Sequence, residues 1–177
     1  MSRADKTGLV HIYCGDGKGK TTAAVGQAVR CAGGGGRVLM FQFLKGNGSG
    51  ERAALGELGG IELWDGPENM KFVWNMTEEE RSDMRKYYGE KFRELCAAAP
   101  EFDMLVLDEI IPALKYGFVT EEELLVFLKK KPDGLEVILT GRDPGSRLTA
   151  AADYVTEMKK IKHPFDRGVG MRRYIEL

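Results

Sequence analysis

An α/β fold with a mainly parallel sheet is predicted from this sequence by three observations. Short apolar stretches alternate with helical ones along the whole chain. A glycine-rich turn joins the first apolar stretch to the first helical one, and two Thr-Glu-Glu-Glu runs mark helix starts between later apolar stretches.

Residues 8–13 (GLVHIY) are short, apolar and open on glycine, the pattern of a buried strand. Residues 21–32 (TTAAVGQAVRCA) have alanine-rich helical character, with small side chains that pack closely on a sheet. The four glycines at 33–36 end that helix, and residues 37–43 (RVLMFQF) form a second strand. Strand, loop, helix and strand in this order make a βαβ unit, with parallel strands and a right-handed crossover.

Residues 45–51 (KGNGSGE) read as a flexible polar loop at the carboxyl end of the second strand, and residues 60–64 (GIELW) as a third, shorter one. A capping box at Thr77-Glu78-Glu79-Glu80 opens a long polar-faced helix to Ala98. Residues 102–109 (FDMLVLDE) are the most strand-like segment of the chain. A second helix runs from the cap at Thr120 to about residue 130, and residues 136–140 (EVILT) are a strand. A short helix over 146–152 and a last strand beginning at 154–158 complete the alternation. With 177 residues, 43% of them hydrophobic, and no repeat or linker, one domain over 1–177 is expected.

Charge and cysteine usage exclude several function classes. A formal net charge of −1 and the lack of a basic stripe argue against a nucleic-acid partner. The cluster Lys129-Lys130-Lys131 reads as the solvated last turn of a helix, where cations favour the dipole. Cys14, Cys31 and Cys96 are scattered, which argues against a zinc site or a disulfide framework. With no signal-peptide pattern and no apolar run of membrane-spanning length, a cytoplasmic protein without a membrane partner is expected.

The chemistry centres on YCGDGKGKTT, residues 13–22. In a phosphate-binding loop, successive backbone N–H groups wrap the phosphates, a lysine neutralises them and a Ser/Thr hydroxyl ligates Mg²⁺. Gly15, Gly17 and Gly19 allow close approach of the backbone, with Asp16, Lys18 and Thr22 completing the loop. Lys20 is the candidate phosphate lysine and Thr21 the candidate metal ligand, although Cys14 replaces the first glycine of the strict pattern. The alternative is a plain glycine-rich turn between strand and helix; the agreement of the Gly, Lys and Thr positions with that strand–loop–helix context favours the phosphate loop. The fold class is therefore α/β, P-loop NTPase-like (RecA-like), in three layers.

Asp108 and Glu109 close a buried strand, where acids beside a P-loop reach the Mg²⁺ directly or through water; the sequence leaves open which of the two does so. Phe72 and Trp74 follow a Gly-Pro turn and, in an extended segment, point the same way. An aromatic pair is more commonly core, but the polar flanks Glu68, Asn69, Lys71 and Asn75 favour a platform for a large flat ligand. Arg142 ends the turn after the strand at 136–140 and is a candidate nucleotide contact, with a surface arginine as the alternative. His163 is read as structural.

These pieces together resemble the P-loop type of corrinoid adenosyltransferase (ATP:cob(I)alamin adenosyltransferase). The resemblance rests on GDGKGKTTAA, RVLMFQFLKG with Gly50-Glu51, KFVW, DMLVLDEI, VILTGR and IKHPFDRGVGMR, which span nearly the whole chain in order. Cys14 is compatible with that family, which tolerates a small residue there, whereas Asp16 replaces its usual Asn. Met171 and Tyr174 depart from the family's tail pattern.

The resemblance implies that cobalt(I) of a corrinoid attacks the 5′ carbon of ATP and triphosphate leaves. It implies ATP held in a reversed sense, with its ribose end toward the corrinoid. It also implies an aromatic pair, matched by Phe72 and Trp74, that displaces the lower cobalt ligand and excludes water. Lys20, the loop amides and Mg²⁺ would then stabilise a departing triphosphate, and no general base is required. A homodimer, a flavodoxin-like reductant and a place in adenosylcobalamin synthesis or salvage are further implications. The competing readings are a RecA-like ATPase or regulatory nucleotide-binding module, and a small-molecule kinase. The kinase would need an arginine-rich lid that this sequence lacks.

Overall fold

The computed structural model describes residues 7–175. Six strands, β1 (Val10–Cys14), β2 (Val38–Gln42), β3 (Ile61–Leu63), β4 (Met104–Asp108), β5 (Glu136–Thr140) and β6 (Tyr154–Glu157), form one sheet in the order β3-β2-β4-β5-β1-β6. Every pairing is parallel. The fold is thus α/β and P-loop NTPase-like, with a fully parallel sheet where a mainly parallel one is expected from sequence.

Helices cover both faces, as an all-parallel sheet requires. α1 (Lys20–Gly33) and α2 (Gly50–Glu57) lie on one face, where Ala24, Ala28 and Leu55 pack on Val38, Met40, Met104, Val106 and Ile138. α3 (Glu78–Ala98), α4 (Ile110–Lys115), α5 (Glu121–Lys130) and α6 (Ser146–Ala151) bury Tyr88, Phe92, Ile110, Leu124 and Leu148 on the other. The same strands serve both layers because successive side chains alternate: Leu105 and Leu107 face one core, Met104 and Val106 the other. Among the described residues, no helix is long and apolar enough to cross a membrane.

Two helices depart from the sequence expectation. Residues 50–57, placed partly in a flexible loop, form α2, which buries only Leu55 and so shows little helical periodicity in sequence. Residues 110–115 form α4 directly after β4, in a stretch between the strand at 102–109 and the Thr120 cap that the sequence reading assigns to no element. Glu109, with φ 57 and ψ 26 in the left-handed region, makes the sharp turn between them. β6 is a strand as expected, but all four of its residues are exposed, so it is an edge held mainly by its backbone pairing to β1.

The parallel arrangement fixes where function can sit. All six strands point the same way, so the loops after them gather at one end of the sheet. Those loops carry the glycine-rich turn, Lys45, the Phe72–Trp74 segment, Glu109, Arg142 and Met158–Lys160.

Candidate active site

Helix α1 is built to leave its N-terminus available. α3 and α5 close theirs with threonine capping boxes and three glutamates each in the first turn. α1 instead starts from Gly19 at φ 115, with no side-chain cap and no acidic residue in its first turn. Unpaired N–H groups and the positive end of the helix dipole therefore face the glycine-rich loop, the local chemistry of an anion site.

The loop is tightly packed against the segment after β6. Gly17 N–H donates to Met158 O at 2.6 Å, and a Cβ on Gly17 would lie 2.5 Å from that oxygen. Asp16 accepts from Lys160 N–H at 2.9 Å, which holds its carboxyl below the usual carboxylate range. Lys18 Nζ donates to Ile175 O at 3.3 Å. Met158 and Lys160, which sequence reasoning did not single out, thus wall one side of the loop. Cys14 is buried, and burial, with Glu157 adding to it, raises its thiol above an ordinary cysteine.

Lys20 Nζ donates to Gly15 O at 2.9 Å and Gly17 O at 2.7 Å, so its ammonium is held inside the turn of the loop. Burial lowers its pKa, the neighbouring Arg142 charge lowers it further, and Glu109 and Asp16 oppose them. Arg142 is exposed in the turn directly after β5, at the same strand ends, and its charge favours the ionised forms of Asp16 and Glu109. Thr22 is exposed on the first turn of α1.

The second half of the site is a buried carboxylate with a full set of donors. Asp108 is completely buried and accepts from Thr21 Oγ1 (3.0 Å), Thr140 Oγ1 (2.6 Å), Gln42 Nε2 (3.2 Å) and Lys45 Nζ (2.7 Å). A buried charge survives only with such partners. Strand order brings them together, since β4 lies between β2 and β5 and Gln42 pairs in register with Asp108. Gln42, Asp108 and Thr140 are the buried polar residues among those described, and each ends an apolar strand. That shared position was the available signal for Gln42 and Thr140, which sequence reasoning passed over. Lys45, also passed over, sits in the loop expected to be flexible and donates to Thr21 Oγ1 at 3.0 Å as well.

Glu109 adjoins this cluster, its N–H donating to Thr140 Oγ1 at 2.8 Å. Burial raises its carboxyl above the usual range, Asp108 adds to this, and Lys45, Lys20 and Arg142 counteract it. Among the described residues, no three or more His, Cys, Asp or Glu side chains are grouped so as to hold a metal ion by themselves. The donor set fits a hard divalent ion completed by phosphate oxygens: one hydrogen-bonded carboxylate, a neighbouring acid and a threonine hydroxyl.

Phe72 and Trp74 are exposed by 58% and 68%, with ring centroids 4.5 Å apart and planes 12° apart. They share a side as expected, but not in an extended segment. Residues Val73–Asn75 form a 3₁₀ turn, in which Val73 is buried and anchors the pair to the core. The preceding loop is bonded to the Lys45 loop through Asn47 Nδ2 to Gly66 O (3.2 Å) and Gly66 N to Asn47 Oδ1 (2.8 Å). His163 Nδ1 accepts from Phe165 N–H at 3.2 Å, a structural role consistent with its sequence reading.

Comparison with known proteins gives one consistent result. The family model described as ATP:corrinoid adenosyltransferase BtuR/CobO/CobP matches residues 6–177. The chain is 35% identical over 166 residues to the corrinoid adenosyltransferase of Escherichia coli, covering 93% of this chain and 83% of that protein. It is 31% identical over 180 residues to the Pseudomonas aeruginosa corrinoid adenosyltransferase, covering 97% and 85%. It is likewise 35% identical over 166 residues to corrinoid adenosyltransferase CobA of Salmonella typhimurium.

Proposed function

The chain belongs to the ATP:corrinoid adenosyltransferase family, and from that premise we propose which of its residues carry the ATP-dependent adenosylation of a corrinoid. The observation that supports the assignment most directly is the meeting of two half-sites at one sheet end: the uncapped α1 loop with Lys20, and the Asp108 cluster joined to it through Thr21.

Triphosphate lies against Gly15, Asp16, Gly17, Lys18 and Gly19 and the first amides of α1, with Thr22 at its margin. Lys20 leaves its two carbonyl partners for the phosphates, exchanging neutral acceptors for charged ones, which strengthens its hydrogen bonds. Its stabilisation grows as charge develops on the leaving triphosphate, which is where a transferase of this kind needs it. Arg142 supplies a second cation from the neighbouring strand end.

Thr21 and Asp108 would hold a Mg²⁺ ion, with Glu109 acting beside it through water. When bound, the ion would neutralise triphosphate charge and fix its orientation. Gln42 and Thr140 hold the Asp108 carboxylate in place through their hydrogen bonds.

Phe72 and Trp74 present a flat apolar wall to the corrinoid. Neither ring offers an atom that ligates cobalt, so contact with the lower face leaves that face without a ligand. Loss of the ligand makes cobalt(I), the nucleophile that attacks the 5′ carbon, easier to reach. The cobalt–carbon bond forms with the electron pair of cobalt(I), which becomes cobalt(III), as the carbon–oxygen bond to triphosphate breaks; that bond's electron pair leaves with the phosphate, and no proton is transferred.

A flavodoxin-like electron donor, a homodimer and a cytoplasmic setting accompany this reading, supported by family membership and the scattered free cysteines. The experiment is the visible spectrum of cobalamin incubated with protein, ATP, Mg²⁺ and a reductant, with phosphate products analysed in parallel. An adenosylcobalamin spectrum with intact triphosphate is expected. ADP or orthophosphate without a cobalt–carbon bond would instead favour a RecA-like ATPase.

A further inference from the structure

Lys45 Nζ contacts the same two side chains that the proposed function assigns to the divalent cation: Asp108 Oδ2 at 2.7 Å and Thr21 Oγ1 at 3.0 Å. An ammonium and a metal ion cannot both sit in contact with this pair, because they would share one small volume and repel each other at low dielectric. The position of Lys45 is built into the fold. Leu44, just before it, takes φ 57, a left-handed conformation that a non-glycine residue keeps only where its surroundings enforce it. The enforcement is visible: Leu44 N–H donates to the hydroxyl of the fully buried Tyr88 at 3.1 Å. Lys45 O also lies where a Cβ on Gly66 would come within 2.9 Å, so the Phe72–Trp74 loop is packed directly on this residue.

We infer that Lys45 is a resident counter-cation that holds the Thr21 and Asp108 oxygens and yields them to a divalent ion only when triphosphate binds. The inference rests on the proposed metal site. Its physical basis is charge balance around Asp108. A divalent ion alone must displace a charge-assisted hydrogen bond and leave the ammonium beside a second cation. When triphosphate is present, the displaced ammonium gains a new anionic partner within reach of its flexible stem. Metal and triphosphate therefore bind with positive coupling, and by linkage each raises the other's affinity. Lys45 is a positioning residue here, acting through the metal site.

The test is Mn²⁺ binding to the full chain, read from the free-ion electron paramagnetic resonance signal, with and without inorganic triphosphate. Wild type binds Mn²⁺ weakly alone and tighter with triphosphate. Lys45→Met binds Mn²⁺ alone roughly tenfold tighter or more, the scale of one lost charge-assisted hydrogen bond, and gains correspondingly less from triphosphate. Lys45→Gln shifts in the same direction and serves if the methionine variant folds poorly. Arg142→Gln removes a nearby charge without touching the oxygen pair, and its gain is the smaller one. An equal gain from Arg142→Gln, or no gain from either Lys45 variant while Asp108→Asn abolishes binding, overturns the inference and spares the metal site. Unchanged triphosphate-dependent binding in Asp108→Asn overturns the metal site and the inference with it.

Discussion

Thr140 and Asp108 end adjacent parallel strands, and their fully buried side chains meet in a 2.6 Å hydrogen bond. The same threonine oxygen accepts the N–H of Glu109, so one hydroxyl secures both the carboxylate and the sharp turn after it. Thr140→Val keeps the shape and removes both bonds. It leaves a buried charge short of a donor and a backbone N–H unpaired, a loss of about 1–3 kcal/mol. Urea unfolding with an unchanged m value checks this; a loss below about 0.5 kcal/mol, the scatter of neutral surface changes, would sink the bracing role.

Lys20→Ala separates fold from chemistry. The lysine's bonds are to the carbonyls of its own loop, outside both apolar cores, so secondary structure by circular dichroism should match wild type. Adenosylation should fall by roughly 10² to 10³ in kcat/KM, the usual scale for losing one group aimed at developing charge. Triphosphate affinity measured calorimetrically should fall with it. Unchanged turnover removes Lys20 from the phosphate site.

What could be read from sequence and what could not divides along the range of the interaction. The glycine loop, the strand before it and the capping boxes are local patterns, and the structure contains each of them. Asp108 was legible because an acid ending an apolar strand is conspicuous. Gln42 and Thr140 occupy equivalent strand ends, but their convergence depends on β4 lying between β2 and β5, and strand order is not a local property. Lys45 was hidden more deeply, since its aim depends on a left-handed Leu44 held by Tyr88, 44 residues away. α4 was missed for a different reason: six residues are too few to display helical periodicity, and Pro112 in their midst reads as a breaker.

Glu136, the first residue of β5, provides a pH prediction at the opposite end of the sheet from the catalytic loops. Burial alone pushes its carboxyl upward, but hydrogen bonds from the His11 ring and Leu9 N–H, with the His11 and Lys131 charges, bring it below the ordinary 4.5. A depressed acid binds fewer protons folded than unfolded. Its stabilisation is therefore complete above about pH 4.5 and is lost as pH falls through the lowered value. Glu136→Gln should cost about 1 kcal/mol at pH 7, discounted for the solvent that reaches this strand start. The gap to wild type should close below pH 4.5, measured by urea unfolding across pH 3–7. A gap constant over that range would mean the carboxylate charge contributes nothing.

Trp74 is where the corrinoid half of the mechanism can be isolated. Its ring is 68% exposed and stacked on Phe72, while the neighbouring Val73 anchors the segment in the core. Trp74→Ala should therefore leave the unfolding midpoint within about a degree or two of wild type, as exposed substitutions generally do. If the stacked rings act by stripping cobalt of its lower ligand, their role falls before the nucleophile exists. Adenosylation driven by an enzymatic or mild reductant should drop by roughly tenfold or more, an effect of the size of one lost aromatic contact. With cobalamin already reduced chemically to cobalt(I), the loss should be several times smaller. The two rates measured side by side decide between ligand removal and simple binding, because a binding platform alone would lower both equally.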